Sequence, residues 1–189
     1  MRAARRTGVS GPAPSATVDP ATAADAEELA EVAAVTFPLA CPPTVGPDDI
    51  AACIAENLSA ARFADYLADP DRRVLTARAG GRIIGYSMLI RGVGADPDIA
   101  RSVPQRPAME LSKMYVLPGH HGAGVAAALM EAALRWAGQD GAAAVWLGVN
   151  ARNLRAQRFY AKHGFAVSGT RRFRLGDHLE DDVVMVRPL

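Results

Sequence analysis

The sequence predicts an α/β fold in which helices flank a central sheet of about seven strands. The first observation is the order of periodic segments: strand, helices, three strands, helix, strand, helix and two strands. The second is Ala79, Gly80 and Gly81 between two strand-like segments, which is typical of an antiparallel hairpin. The third is the length of 189 residues, half of them hydrophobic, which suffices for one core and is short for two.

The N-terminal segment has no hydrophobic period. Residues 1–14 are rich in Ala, Gly, Pro and Arg, so we expect a disordered leader followed by one domain over residues 15–189. A strand is predicted over residues 16–20. Thr22 to Asp25 then form a capping-box pattern that opens a helix, and we expect the prolines from Pro38 onward to end it.

The elements between this helix and the middle of the chain are shorter. Helices are predicted around residues 48–58 and 63–67, capped by Asp48 or Asp49 in the first case. Hairpin strands over residues 73–78 and 82–90 follow, and then a polar, proline-containing loop.

The C-terminal half alternates strands with helices. Its elements are predicted as a strand over residues 109–116, a helix from Val125 to Gly138, a strand over 143–149, a helix over 153–163 and strands over 165–175 and 182–186. The strand over 143–149 is almost wholly apolar, which indicates a central strand covered on both faces. We expect an acidic turn, Asp177 to Asp182, between the last two strands.

Bulk properties exclude several classes of partner. The formal net charge is +1, with 21 basic and 20 acidic residues interleaved, so no global field favours nucleic acid or an anionic membrane. The longest apolar runs are too short to span a bilayer, so we expect a cytoplasmic protein. Cys41 and Cys53 lack CxxC spacing and nearby histidines, which argues against a metal site.

Two segments carry the candidate chemistry. Gly119, Gly122 and Gly124 lie between a predicted strand and helix, where uncovered amides at a helix N-terminus suit a pyrophosphate. Asn153 and Tyr160 are seven residues apart and share a helix face. Each segment also has a purely structural interpretation: packing turns use glycine, Asn caps helices, and aromatic residues fill cores.

Together the two segments resemble the GNAT superfamily of acetyl-CoA-dependent N-acyltransferases. The residues that carry the resemblance are Leu117, Pro118, His121, Gly122, Ala123, Gly124, Val125, Ala126, Asn153, Ala156, Phe159, Tyr160, Gly164 and Phe165. The strand from Glu110, residues 146–149 and the acidic tail are similar to the bacterial spermidine/spermine acetyltransferase subgroup. The family usually has Arg or Gln where this chain has His121, so we expect His121 to weaken or retune phosphate contact.

The resemblance implies a mixed, mostly antiparallel sheet with a splay between the fourth and fifth strands that admits the pantetheine arm of acetyl-CoA. Met114, Tyr115 and Val116 would hold that arm, with the Val116 amide polarising the thioester carbonyl. The other implied cofactor-binding residues are His121, Gly122, Ala123, Gly124, Val125, Ala126, Asn153, Ala156, Phe159 and Tyr160. The amine would attack directly in a ternary complex, and Tyr160 would protonate the departing thiolate.

A proton acceptor is also needed. An alkylamine with a pKa near 10.4 is only about one part in a few thousand neutral at pH 7, a deficit of roughly 4 to 5 kcal/mol. Glu110 lies six residues before Val116, where several members of the family carry a base that acts through water. A solvent-facing carboxylate at a strand end is the alternative interpretation.

The acceptor is expected to be a small primary amine. The early helices, which carry Phe37, and the acidic turn, which carries Asp182, would form the acceptor wall, and the acidic cluster could attract a polyamine or simply be solvated. A protein amine is the alternative acceptor, and a non-catalytic acyl-CoA sensor is the alternative outside catalysis. Dinucleotide binding fits poorly because the acidic ribose partner is missing. The sequence leaves open whether the protein forms a homodimer.

Overall fold

The computed structural model describes residues 16–175 and 178–189, and its seven strands form one sheet in the order β1-β2-β3-β4-β5-β7-β6. The strands are β1 (Thr17–Pro20), β2 (Arg72–Ala79), β3 (Arg82–Arg91), β4 (Ala108–Val116), β5 (Ala144–Asn150), β6 (Ala166–Leu175) and β7 (His178–Pro188). The helices are α1 (Ala26–Ala40), α2 (Pro47–Asn57), α3 (Ala60–Ala68), α4 (Pro97–Ser102), α5 (Val125–Gln139) and α6 (Leu154–Lys162). The predicted fold class is confirmed.

The sheet is antiparallel except where β4 meets β5. These two strands run parallel and pair only at Ala108 with Ala144, Met109 with Val145 and Glu110 with Trp146. Beyond the last pair the described residues form no further β4–β5 pairs, so the two strands diverge. The predicted splay between the fourth and fifth strands is therefore confirmed.

Helices cover both faces of the sheet. On one face α5 buries Leu129 and Met130 against β2, β3, β4 and β5. On the other face α1 and α3 bury Leu29 and Phe63 around Tyr86 of β3. Each fully buried aliphatic or aromatic side chain of this kind contributes about 1.5 to 3 kcal/mol, so both layers hold the diverging strands in place.

Local signals explain most of the helix ends. Ser59 Oγ accepts from the Arg62 amide at the start of α3, and Asn153 Oδ1 accepts from the Ala156 amide at the start of α6. The first helix ends at Ala40, just before Pro42 and Pro43, but the expectation is wrong for Pro38, which lies inside α1. The carbonyl that a proline leaves without a donor belongs to Ala34, which is exposed and open to water.

Three further expectations need correction. The loop after β3 contains α4, whose start signals are the Asp96 side chain, which accepts from the Asp98 amide at 2.8 Å, and Pro97 in the first turn. The acidic turn is wrong for its C-terminal part: β7 begins at His178, so Asp182 lies within a strand. Its pairing with both β5 and β6 fixes it there. Helix α2 begins at Pro47, ahead of the expected caps.

Two predictions fall wholly or partly outside the described residues. The expected leader, residues 1–14, lies wholly outside them, as does Asp177 of the acidic segment. Among the described residues, every helix is too short or too polar to cross a membrane.

Candidate active site

A cavity of about 780 Å³ opens where β4 and β5 diverge. Helices α1 and α2 wall it on one side and α6 on the other. The cavity brings together half of the site residues predicted from the sequence: Phe37, Glu110, Met114, Tyr115, Asn153, Ala156, Tyr160 and Asp182. Val116, the glycine turn over residues 121–126 and Phe159 are not part of its lining. The diverging strands thus place a free strand edge, a phenol and a carboxyl group around one space.

The free edge of β4 offers backbone hydrogen-bonding groups. The Leu117 amide donates to Ile84 of β3, and the backbone groups of successive residues in a strand point to opposite edges. The backbone groups of Val116 and Met114 therefore point into the opening between β4 and β5. The backbone of Tyr115 faces β3, where it pairs with Tyr86.

An irregularity in β4 decides which side chains share a face. Met88 pairs with Lys113 and the next residue, Leu89, pairs with Leu111, so Ser112 is an extra residue in β4. The bulge puts Glu110, Lys113 and Tyr115 on the same face of the sheet, toward α1 and α2. Without it, Glu110 and Tyr115 would point to opposite faces.

The glycine turn leads directly into α5. Gly124 precedes the helix with φ of +79°, a backbone conformation that L side chains rarely adopt. A Cβ atom at Gly122 or Gly124 would meet no described atom within 4 Å, so space is open outside the turn. The first-turn amides of α5 have no partner within the helix. The turn therefore offers open space and amide donors to an anionic group, as the sequence predicts.

His121 takes a position that the sequence did not predict. Its Nε2 lies 2.8 Å from the Val116 carbonyl oxygen, and since a carbonyl can only accept, that ring nitrogen is the donor. The side chain therefore links the turn to the end of β4. The Val116 carbonyl oxygen, on the free edge of β4, thus already accepts a hydrogen bond from His121.

Helix α6 forms the opposite wall. Asn153 caps the helix, as one interpretation of the sequence proposed, and it also lines the cavity. Burial raises the pKa of Tyr160 to about 12, so its phenol is protonated across the physiological range. Phe159 lies beside it and packs against the His163 ring, with centroids 4.5 Å apart.

Glu110 lies at the narrow end of the opening. Burial raises the pKa of its carboxyl group, and the positive charges of Arg171, Lys113 and Arg72 act in the opposite direction. Burial also lowers the pKa of the Lys113 ammonium. Partial burial thus shifts both pKa values toward neutrality.

Several residues of the cavity are not predicted from the sequence. Lys113, Gly148 and Arg171 all line it, and Arg171 Nε lies 3.3 Å from Asp182 Oδ2. Two of them left a signal: a lysine inside a predicted strand, and a glycine that interrupts an apolar strand. Arg171 left none, because its partner is 11 residues away along the chain.

The cysteines line the cavity too. Burial raises the pKa of Cys41 to about 11 and also raises that of Cys53. Both thiols are therefore protonated near neutral pH and are poor nucleophiles.

Comparison with known families gives this arrangement its context. A sequence model described as the acetyltransferase (GNAT) family matches residues 41–165, which include the divergence of β4 and β5, the glycine turn and α6. The chain belongs to this family. It is an N-acetyltransferase of the GNAT type, and such enzymes use acetyl-CoA as the acetyl donor.

One curated relative of this acetyltransferase is similar over nearly its whole length. An uncharacterized N-acetyltransferase of Mycobacterium tuberculosis (strain ATCC 25618 / H37Rv) is 60% identical over 165 residues, which cover 87% of this chain and 98% of the relative. An uncharacterized N-acetyltransferase of Archaeoglobus fulgidus is 32% identical over 88 residues, 47% of this chain and 56% of that relative.

Solved structures of low identity share the fold of the acetyltransferase. The PaiA N-acetyltransferase of Thermoplasma acidophilum, in complex with coenzyme A, superposes with a TM-score of 0.72 at 21% identity, covering 93% of this chain and 99% of that one. The ribosomal-protein-S18-alanine N-acetyltransferase of Escherichia coli superposes with a TM-score of 0.65 at 20% identity, covering 92% and 93%.

Proposed function

We propose that this GNAT enzyme acetylates a primary amine on a small cationic molecule, such as a polyamine, by direct attack of the amine on acetyl-CoA in a ternary complex. The observation that carries the proposal is that one cavity joins the free edge of β4, the phenol of Tyr160 and the carboxyl group of Glu110. Donor, acid and base can therefore act on one reacting centre without a covalent enzyme intermediate.

The donor half of the site is built mainly from backbone. Met114 and Val116 offer hydrogen-bonding groups to the pantetheine arm, and the amides after Gly124 receive the diphosphate. Acetyl-CoA supplies the acetyl thioester. The Val116 amide then stabilises negative charge that develops on the carbonyl oxygen during attack.

Glu110 is the proposed base on the acceptor side. It lies at the last β4–β5 pair, where the opening begins, and its carboxyl group lines the cavity. An ionised carboxylate accepts the proton of the incoming ammonium, directly or through water. A carboxyl group whose pKa is raised by burial is a stronger base once it is ionised.

Tyr160 is the proposed acid. Its phenol is neutral because burial raises its pKa, so it can donate a hydrogen bond to the departing sulfur. Tyr160 comes from α6 and Glu110 from β4. Acid and base therefore reach the reacting centre from opposite walls of the cavity.

The lining charges favour a cationic acceptor. Among the described residues the cavity has four acidic side chains and two basic ones: Asp49, Glu56, Glu110 and Asp182 against Lys113 and Arg171. Helices α1 and α2 enclose the acceptor end, which suits a small amine better than a protein surface. This is also what likeness to the spermidine/spermine subgroup would imply.

An amine panel tests the proposal. The enzyme is incubated with acetyl-CoA and, in separate reactions, spermidine, spermine, simple alkylamines and peptides with free N-terminal or lysine amines, and thiol release is measured. We expect release with polyamines and little with peptides. Release with peptides alone would favour the protein-amine alternative, for which the S18-alanine enzyme is a fold neighbour.

The sensor alternative has its own signature. A non-catalytic module would bind acetyl-CoA in calorimetry and release no thiol with any amine. Glu110→Gln is the internal control, since it should leave acetyl-CoA binding intact and lower turnover with the best amine.

A further inference from the structure

The side chain of Arg171 extends from β6 across β7 and lies over β5, where it reaches the active site. Arg171 pairs with Asp182 of β7, which in turn pairs with Asn150 of β5. From there the guanidinium lies on Gly148 of β5: a Cβ atom built at Gly148 would be 2.6 Å from Arg171 Cζ and 2.7 Å from its Nε. Only glycine leaves room for this path.

Other contacts define the position of the guanidinium. Its Nε lies 3.3 Å from Asp182 Oδ2, and its Cζ lies 5.9 Å from the centre of the Trp146 ring. The side chains of Arg171 and Asp182 are 19% and 9% exposed, so the pair is largely shielded from solvent screening. The guanidinium therefore carries its charge into the cavity.

The Glu110 carboxyl group lines the same cavity as the guanidinium. Trp146, against which the guanidinium lies, is the residue paired with Glu110 at the last rung between β4 and β5. Burial has the largest effect on the pKa of Glu110 and raises it; within the described part of the chain three cations lower it, namely Arg171 of β6, Lys113 of β4 and Arg72 of β2, and Arg171 is the strongest of the three. Arg72 is also engaged by Asp69 at 2.9 Å, and burial lowers the pKa of Lys113.

We infer that Arg171, lying across Gly148, is a positioning residue that keeps Glu110 ionised beside the acceptor amine. The inference deepens the proposed function and rests on it for the role of Glu110 as base. Arg171 acts through Glu110, and Gly148 provides the gap that admits the guanidinium. A purely structural role, in which Arg171 only neutralises Asp182, is the competing explanation.

The two explanations differ in their effect on Glu110. Among the three cations, Arg171 lowers the pKa of Glu110 most. Loss of its guanidinium should therefore raise that pKa further. Since the base must be ionised, activity would then decline at a higher pH than in the wild type as the pH is lowered. A purely structural role of Arg171 would lower stability and leave this pH dependence in place.

The test measures the ionisation of Glu110 directly. The carboxyl carbons of glutamate are labelled with carbon-13 and titrated by NMR in the wild type, Arg171→Met, Gly148→Ala and Arg171→Lys, with Glu110→Gln used to assign the signal. Arg172→Met is the matched control, because Arg172 is the next residue of β6 and is exposed. This readout needs no acceptor amine.

Kinetics with spermidine as the probe amine give the second readout. We expect kcat/KM of Arg171→Met and Gly148→Ala to be roughly three- to tenfold lower at a pH on the acidic limb and close to the wild type on the plateau. Arg171→Lys should restore part of the difference, and Arg172→Met should match the wild type. Acetyl-CoA binding by calorimetry establishes that each variant is folded.

An unchanged Glu110 titration in Arg171→Met and Gly148→Ala would overturn the inference. If Arg171→Met does not fold, Gly148→Ala and Arg171→Lys decide, since both keep the cation and alter only its position or shape. If Glu110→Gln retains full activity, the base role in the proposed function fails, and the NMR titration still decides whether Arg171 controls the ionisation of Glu110.

Discussion

Replacing Tyr160 with Phe tests the proposed acid with the smallest possible change. The substitution removes one hydroxyl and keeps the ring that packs against Phe165. We expect kcat to fall by about 10- to 100-fold. Affinity for acetyl-CoA should stay nearly the same, because the proposed donor contacts come mainly from the backbone of β4 and α5.

The magnitude follows from the pKa of the phenol. Burial raises the pKa of Tyr160 to about 12, whereas an ordinary thiol has a pKa of about 8.5. Complete proton transfer from this phenol to a free thiolate would therefore cost about 5 kcal/mol. We expect Tyr160 to act instead as a hydrogen-bond donor to the developing thiolate, which is worth about 1.5 to 3 kcal/mol.

The assay is thiol release under saturating acetyl-CoA and amine, with calorimetry for donor affinity. Tyr86→Phe is the matched control. Its hydroxyl is also buried and has no hydrogen-bond partner among the described residues, so its removal should leave kcat unchanged and stability equal or higher. Since the neutral phenol is the donor and is lost only as pH rises through about 12, Tyr160 should cause no alkaline decline below about pH 10.

Two results would refute this reasoning. A turnover number of Tyr160→Phe equal to that of the wild type would exclude the acid role. A loss of acetyl-CoA affinity with kcat unchanged would mean that the hydroxyl stabilises the ground state as much as the transition state.

The remaining predictions concern Gly85 and Gly124, each compared with a second glycine as its control. Gly85→Ala should destabilise the fold by about 1 to 3 kcal/mol in urea unfolding, because its Cβ atom would lie 2.8 Å from the Tyr115 carbonyl oxygen. Gly138→Ala is the matched control: its Cβ atom would meet no described atom within 4 Å, so the substitution should be neutral or stabilising. Equal effects of the two would contradict this. Gly124→Ala should cost roughly 1 to 2 kcal/mol through its positive φ and weaken acetyl-CoA binding in calorimetry, while Gly119→Ala, which lacks a positive φ, should do neither.

Local signals in the sequence predict most of the architecture. The hairpin at Gly80 and Gly81 and the amphipathic period of α5 are decided by neighbours within a few residues, so they can be interpreted without the fold. The proposed donor half of the site can be interpreted from the sequence for the same reason. Its parts, the end of β4, the glycine turn and the start of α5, are consecutive in the chain.

The acceptor half depends on contacts between distant residues. Arg171 lies on β6, which β7 separates from β5, so its side chain reaches the cavity by extending across β7. A one-residue bulge at Ser112 decides the face on which Glu110 lies. Neither feature has a local sequence signature. The misjudged acidic turn has the same origin, since pairing with two strands at once converts a polar segment into part of β7.

The three residue pairs between β4 and β5 are the junction, or seam, that joins the two halves of the sheet. They lie next to the proposed donor site. A carrier that hydrogen-bonds along the free edge of β4 would act as a substitute strand at that seam, and it would bind only the folded chain. By mass action, acetyl-CoA at 100 times its Kd should then raise the free energy of unfolding by about 2.7 kcal/mol. Heat resistance of the protein would accordingly follow the acetyl-CoA concentration around it.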